Sequence, residues 1–370
     1  MIEELHRSID DVDLYLSSMP DAQVGESLRS TSFFTLDTAG GIFADDAAAL
    51  RRAVTGLEPL SDDRLAARFQ QCFRLHPLEA THRALIETQR DIVAVKVNHG
   101  FWEHLAALFG SEEAVRRYRE MNLPLRRRHY FQADFLFAFQ HAWARLTADR
   151  SGAVVPMLSI TSGVGPTRLK AGTSFRPVQR AAITGMVGYE LARVDPASAA
   201  GSSREPLEIH DSYAMSKAYE DGHVIDRVIR NSHERSAVLV VGPSWTGGCK
   251  VKNLRGSQYF LSVSDRNVMP YWRQTTAKIV MVLKYLSGLH ERTTVLLQAS
   301  AYSPVACAAI HDLASESGSI EVWDLGRLLD VAVGEDVTGT GSPLPSGKGS
   351  LVNPQFERCA APKWIFQRIQ

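Results

Sequence analysis

Two apolar runs in this chain stop on a carboxylate: "YFLSVSD" ends at Asp265 and "SIEVWD" at Asp324. A carboxylate just beyond a buried strand can bind ribose hydroxyls or take the proton of an attacking hydroxyl. Either aspartate could equally cap the turn that follows it. A third carboxylate, Glu103, stands four residues after His99 in "HGFWEH". That spacing puts the two on one face of a helix. Histidine and glutamate are metal-ligating types, but no HExxH is present, and these residues with His104 do not by themselves make a metal site.

The stretch "VLVVGPSWTGGCKVKN" is a second place for chemistry. Four apolar residues give way to Gly242 and Pro243, then Ser244, the Gly247–Gly248 pair, Lys250 and Lys252. Glycines at a strand end let the backbone approach a ligand and expose amide donors, and the lysines could add charge for a phosphate. The bland alternative is a tight turn with solvated lysines. Other patterns fail. "SGVGPTRLKAG" lacks the third glycine of a dinucleotide fingerprint, and "GTGSPLPSGKGS" has the wrong spacing before Lys348 for a phosphate loop. Gly-x-Ser-x-Gly is absent. The basic cluster "LRRRHY" reads as a solvated helix end.

These residues need elements to position them. "SAVLVVGP", "SQYFLSVSD", "TTVLLQASA" and "SIEVWDLG" are nearly continuous apolar runs. The helical patterns "YWRQTTAKIVMVLKYLSGLHERT" and "SPVACAAIHDLASESG" separate the last three of them. Strands of this kind alternating with helices predict a parallel sheet covered on both faces. In such a sheet, ligands bind beyond the strands' carboxyl ends, where Gln298, Ser300, Tyr302 and Gly326 also fall. In the second helix, Ser303 is expected as N-cap with Pro304 in the first turn.

The fold class expected is therefore α/β: a Rossmann-like doubly wound parallel sheet in the C-terminal half and a helix-rich N-terminal half. Residues 1–150 read mostly as helix, from "DDAAALRRAVTGL", "SDDRLAARFQQCFRL", "LEATHRALIETQRDIVAVKV", "FWEHLAALFGSEEAVRRYREM" and "ADFLFAFQHAWARLTAD". Inside them "DIVAVKVN" fits strand or helix, and with "AVVPMLSIT" it could complete the same sheet. Residues 151–335 form the Rossmann-like unit, and 336–370 a Gly/Pro-rich tail that wraps the surface or caps a site.

Composition bounds the function. Forty-one basic and 41 acidic residues cancel, which excludes a protein whose main work is coating nucleic acid. No apolar run is long enough to span a membrane, and the acidic start "MIEELHRSIDDVDLYL" is unlike a signal peptide. Four scattered cysteines without a CxxC pair fit a reducing, cytoplasmic setting. The partners expected are a small-molecule substrate and, at most, a second copy of the chain as a homodimer.

The succession "VLVVGPS", "YFLSVSDRNVMPYW", "TVLLQASAYSPVACAAIHDL" and "IEVWDLGRLLDV" resembles the GT-D-fold glycosyltransferases. Gly242, Pro243, Asp324, Gly326 and Asp330 stand at matching positions. The resemblance implies a nucleotide-sugar donor, a hydroxyl acceptor and a Mn2+ or Mg2+ ion. On it, Gly242, Pro243, Ser244, Gly247, Lys250, Ser300 and Gly326 hold the donor, and His99 and Glu103 line its pocket. Asp265 or Asp324 binds ribose or activates the acceptor, and Glu103 is the first candidate metal ligand. The chain departs from the family's Asp-Gly-Glu metal signature. In "VAVKVNHGFWEHL", His99 and Gly100 fall where Asp-Gly falls, Phe101 replaces the Glu, and Glu103 comes two residues late. Two alternatives stay open: another Rossmann-type enzyme using S-adenosylmethionine or NAD, with Asp265 on the ribose, and a non-catalytic interaction protein on a degenerate fold.

Overall fold

The computed structural model describes residues 40–97, 99–111, 133–160, 174–193, 205–243, 249–263, 272–326, 328–329, 355–358 and 366–369. In chain order the strands are β1 (Phe73–Leu75), β2 (Val93–Val97), β3 (Val154–Leu158), β4 (Leu207–Asp211), β5 (Ser236–Gly242), β6 (Cys249–Val251), β7 (Ser257–Ser262), β8 (Arg292–Leu297), β9 (Ser319–Asp324), β10 (Phe356–Arg358) and β11 (Phe366–Ile369). Nine of them form one sheet in the order β1-β4-β3-β2-β9-β8-β5-β7-β11. Every neighbouring pair runs parallel except β11, which lies antiparallel along β7. The fold is α/β.

The central strands read as the sequence suggests: all seven residues of β5 are buried, as a strand covered on both faces must be. "DIVAVKVN" resolves as strand β2, whose Val93, Ala94, Val95 and Val97 are buried. It pairs with β3 on one side and β9 on the other, so strands from residues 1–150 and from the C-terminal half share the sheet.

One face is covered by α1 (Gly40–Leu57), α2 (Asp62–Cys72), α4 (His99–Phe109), α5 (Ala133–Ala148), α6 (Pro177–Ala192), α9 (Trp272–Leu289) and α10 (Ser303–Ser317). The other face holds α7 (Ser212–Glu220), α8 (His223–Arg230) and the antiparallel β6–β10 ribbon. That ribbon replaces the helix expected in a β5-to-β7 crossover. No described helix is long and apolar enough to cross a membrane.

The run "LEATHRALIETQRDIVAVKV" does not form one helix. Helix α3 (Leu78–His82) passes into a single π turn, Arg83–Glu87, and stops. Buried Arg227 of α8 explains how the chain can leave the helix there: its guanidinium donates to the carbonyls of Ile86, Thr88 and Arg90. The same guanidinium pairs with Glu321 of β9 at 2.8 Å, which Arg292 meets from the other side at 3.1 Å. Arg292 also pairs with Asp91. These ionic contacts lock the amino end of the sheet.

Helix α4, which follows β2 directly, is set by a close backbone crossing. A Cβ on Gly185 of α6 would lie 2.0 Å from the carbonyl oxygen of Trp102, and one on Gly188 would lie 2.7 Å from Val54 Cγ2 of α1. Gly185→Ala is expected to destabilise the fold by about 3 kcal/mol in urea unfolding, because backbone must move. Gly288→Ala, where nothing lies within 4 Å of the added methyl, is expected to be neutral or to stabilise by up to about 1 kcal/mol.

Candidate functional site

Strand order locates the candidate ligand edge. From β5 the chain moves outward to β7, whereas from its neighbour β8 it moves the other way, to β9. Such divergence opens a crevice beyond the carboxyl ends. Asp324 ends β9 beside Leu297, the last residue of β8. The amides of Leu325 and Gly326 both donate to the Leu297 carbonyl, at 2.9 and 3.2 Å, so the turn after β9 closes over the end of β8.

Asp324 is 2% exposed. Its Oδ2 accepts the Lys96 amide at 3.0 Å, and its Oδ1 accepts the Ser303 hydroxyl at 3.0 Å. The Gly326 amide donates to it as well. Burial pushes its pKa up to about 7, against the opposing pull of the Lys96 charge and these hydrogen bonds. Ser303 is therefore not the N-cap the sequence suggested. Tyr302 holds that position, and Ser303 opens α10 with its hydroxyl turned to the carboxylate, with Pro304 in the first turn as expected. Gly326 has φ +53°, and a Cβ there would come 3.6 Å from Lys96 Nζ, so the ammonium lies against this turn.

Around Asp324 the neighbouring Thr276, Tyr302 and Cys307 are buried. The Tyr302 hydroxyl bonds Thr276 of α9 at 2.7 Å, and burial pushes its pKa upward. Cys307 is fully buried, and burial followed by the neighbouring Asp324 charge holds its thiol well above the ordinary range. A thiol so placed is not a nucleophile.

Next to β9, β2 runs into α4, whose first turn carries His99. His99 Nδ1 bonds Glu103 Oε1. Glu103 is 5% exposed and His99 is half-buried. This bond orients the imidazole ring and leaves Nε2 as its other polar atom. Phe101 stacks on Phe139 of α5 at 3.9 Å, and Trp102 packs under Gly185, so the residues between the pair anchor the helix. The expected single face is realised.

The other candidates scatter. Gly242 is the buried last residue of β5, and its carbonyl accepts the Val263 amide at 2.9 Å. Pro243 follows it, buried. The structure does not bring Lys250 and Lys252 to the ligand edge. Lys250 sits in β6 opposite Glu357 of β10. The next amide, that of Val251, donates to Gln258 at the amino end of β7, and Arg255 donates to Ser232 just before β5. The ribbon carries both lysines back down the sheet. Ser300 lies in the short helical turn Ser300–Tyr302 before α10. Ser244, Gly247, Asp265 and Asp330 lie outside the described residues, as do the side chains of Ser300 and His104. Among the described residues, no group of three or more His, Cys, Asp or Glu gathers as metal ligands. Lys96 is the residue that sequence reasoning missed. Its signal is a lone charge inside the apolar "VAVKV".

No family model matches this chain, and no curated protein matches it. A solved structure described in the words "The highly conserved domain of unknown function 1792 has a distinct glycosyltransferase fold" is similar to it, with a TM-score of 0.42 and 10% identity. The match covers 72% of this chain and 83% of that one. A likeness of this degree says nothing of chemistry, which has to come from this chain's own residues.

The Asp324 environment has a measurable consequence. Its folded pKa of about 7 lies above the ordinary value of 3.8. A raised folded pKa stabilises most below the unfolded pKa, and that stability is lost as pH rises through the folded value. The stability of the protein relative to an Asp324→Asn variant is expected to fall between pH 4 and pH 8, by at most about 4 kcal/mol. Urea unfolding of both proteins across that range measures it; a constant difference contradicts the assignment.

Proposed function

We propose that this chain is a glycosyltransferase-like enzyme. It takes a nucleotide-sugar donor at the carboxyl edge of the sheet and passes the sugar to a hydroxyl of a small molecule or glycan. The observation that carries the reading is the His99–Glu103 pair at the end of β2. A half-buried imidazole oriented by a buried carboxylate is built to take a proton at Nε2.

On this reading the acceptor hydroxyl gives its proton to His99 Nε2 as its oxygen bonds the anomeric carbon and the bond to the diphosphate breaks. Glu103 fixes the ring and stabilises the imidazolium. The departing diphosphate carries negative charge, and Lys96 is the described cation at this edge that can meet it. Gly242, Pro243 and Gly326 supply backbone that a donor can approach closely, and Ser244, Gly247, Ser300 and Asp265 remain proposed contacts to it. A divalent ion on the diphosphate would take Glu103, already bonded to His99, as its first candidate ligand among the described residues. Positioning and the Lys96 charge would help to carry the leaving group.

Thermal stabilisation against UDP, GDP, CMP and dTDP sugars, S-adenosylmethionine and NAD, each with and without manganese, tests the reading. One nucleotide sugar at a hundred times its dissociation constant is expected to stabilise by about 2.7 kcal/mol. With that donor, His99→Gln is expected to keep the stabilisation and lose transfer by about a hundredfold or more. A rise only with S-adenosylmethionine or NAD, or an unchanged rate in His99→Gln, sinks the proposal.

A further inference from the structure

The outer margin of the sheet carries a pair of histidines that the proposed reaction does not use. Strand β1, three residues long, lies outside β4, and the His76 amide extends their pairing to the Ile209 carbonyl at 2.9 Å. His76 and His210 therefore stand side by side, their rings stacked with centroids 4.3 Å apart and planes inclined by 15°. His210 is buried, and its Nδ1 lies 3.0 Å from the Thr81 hydroxyl of α3, which donates to the Pro77 carbonyl at 3.2 Å. One ring thus touches both the end of β1 and α3.

The two imidazoles are not equivalent. Glu208 Oε2 lies 3.3 Å from His76 Nε2, so a charge on His76 has a carboxylate beside it. Among the described residues no carboxylate pairs with His210. Strand β3 sets the uncharged Met157 beside it, and α3 sets the Thr81 hydroxyl. The acids of its own strand are engaged, Glu208 with Arg74 and His76, and Asp211 with the Tyr213 amide of α7. On α3 and α7, His82 faces Glu87 at 3.7 Å, Lys217 pairs with Asp221 at 2.6 Å, and Glu79 and Glu220 are exposed. The charge that bears on His210 is that of His76, and it has the same sign as the one His210 would gain. Burial first, then this facing ring, push the His210 pKa down to about 4.

We propose that the stacked His76–His210 pair is an acid-released latch: with His210 neutral it holds β1 and α3 on the margin of the sheet, and when His210 takes a proton from solvent the two elements come off β4 together. A proton on His210 puts a buried charge face to face with a second imidazole, and the ring is solvated only by leaving the stack and the Thr81 bond. The elements it holds are small, since β1 pairs through three residues and α3 has five. Opening bares the backbone edge of β4 and the buried Phe73 ring. It also has a limit. Past the π turn, Arg227 holds the carbonyls of Ile86, Thr88 and Arg90, so β2 and His99 beyond them stay in place. The opened margin takes the proton at the ordinary value of 6.5 and the closed one near 4, so the closed form is favoured above pH 6.5 and loses ground as pH falls to about 4. The latch works whatever the ligand edge binds.

Amide hydrogen exchange of the full chain from pH 7.5 to 4.5, corrected for the intrinsic pH dependence of exchange, reads the opening. Protection across residues 73–85 and β4 is expected to fall below pH 6.5, approaching about tenfold per pH unit for one linked proton, while β2, β5 and β8 keep theirs. His210→Gln, which can keep the Thr81 bond without a charge, is expected to show pH-independent protection in the same segments. His76→Gln removes the facing cation and is expected to shrink the fall. Ring NMR of the histidine-labelled protein reads the proton without any substitution. His210 is expected to stay neutral at pH 5.5, where an ordinary histidine is about nine-tenths charged. A charged His210 at pH 5.5 with the margin still protected overturns the proposal, as does flat protection in the unmodified protein. Loss spread evenly over the whole sheet overturns it too, because that is global unfolding rather than a released margin. So does a pH dependence that persists in His210→Gln, by moving the proton to another group such as His82, whose ring meets that of His223 at 5.5 Å.

Discussion

Strand β9 carries two carboxylates into the middle of a sheet covered on both faces, and much of the architecture follows from how each is compensated. Burying a charge without partners is among the costliest things a fold can do. Glu321, 0% exposed, is met by Arg227 and Arg292. Those guanidinium groups tie α8, the start of β8 and the chain ahead of β2 into one amino-terminal lock. Removing either partner would strand the other charge, so this end is rigid by construction. Asp324, at the opposite end, has hydrogen bonds and one lysine. The strand is clamped by two arginines toward its amino end and held by hydrogen bonds at its carboxyl end.

The helices continue this division. Helix α4 can place His99 and Glu103 beyond the end of β2 because α6 lets it come within backbone contact through Gly185, while Phe101 and Trp102 bury between them. The opposite face is built differently. Helices α7 and α8 and the β6–β10 ribbon pack on it, with the Phe356 ring 6.5 Å from that of Tyr219. Residues from the C-terminal segment thus serve the core as well as the sheet edge, where β11 adds the one antiparallel strand.

What was legible in the sequence follows the same logic. Strands β5, β8 and β9 announce themselves because two-sided burial demands unbroken apolar runs. Strand β4, "LEIHD", does not, because it lies near the sheet margin with its first two residues half-buried and carries charge and histidine. The break after α3 is hidden because the N–H groups that donate to its freed carbonyls belong to Arg227, far along the chain. Asp324 was visible as a carboxylate at a strand end. Ser303 was assigned a local cap because capping rules see only neighbours in sequence, whereas its partner lies 21 residues away. Lys250 and Lys252 looked like phosphate grips because they follow a strand end closely. The ribbon that turns them back is set by pairing with residues about a hundred positions later, which no local pattern encodes. Lys96 was overlooked as a strand residue, although a charge inside "VAVKV" calls for a partner.

The central claim is that ligand chemistry belongs to the carboxyl ends of β2, β8 and β9. Amide hydrogen exchange, followed with and without each nucleotide sugar at saturation, tests it most directly. The account predicts slowed exchange in the segments around Lys96 to Glu103, Gln298 to Cys307 and Asp324 to Leu329, with the amino-end lock around Asp91, Arg227 and Arg292 unchanged. Slowing confined to the Lys250 ribbon or to that lock, or no slowing with any donor, would contradict it.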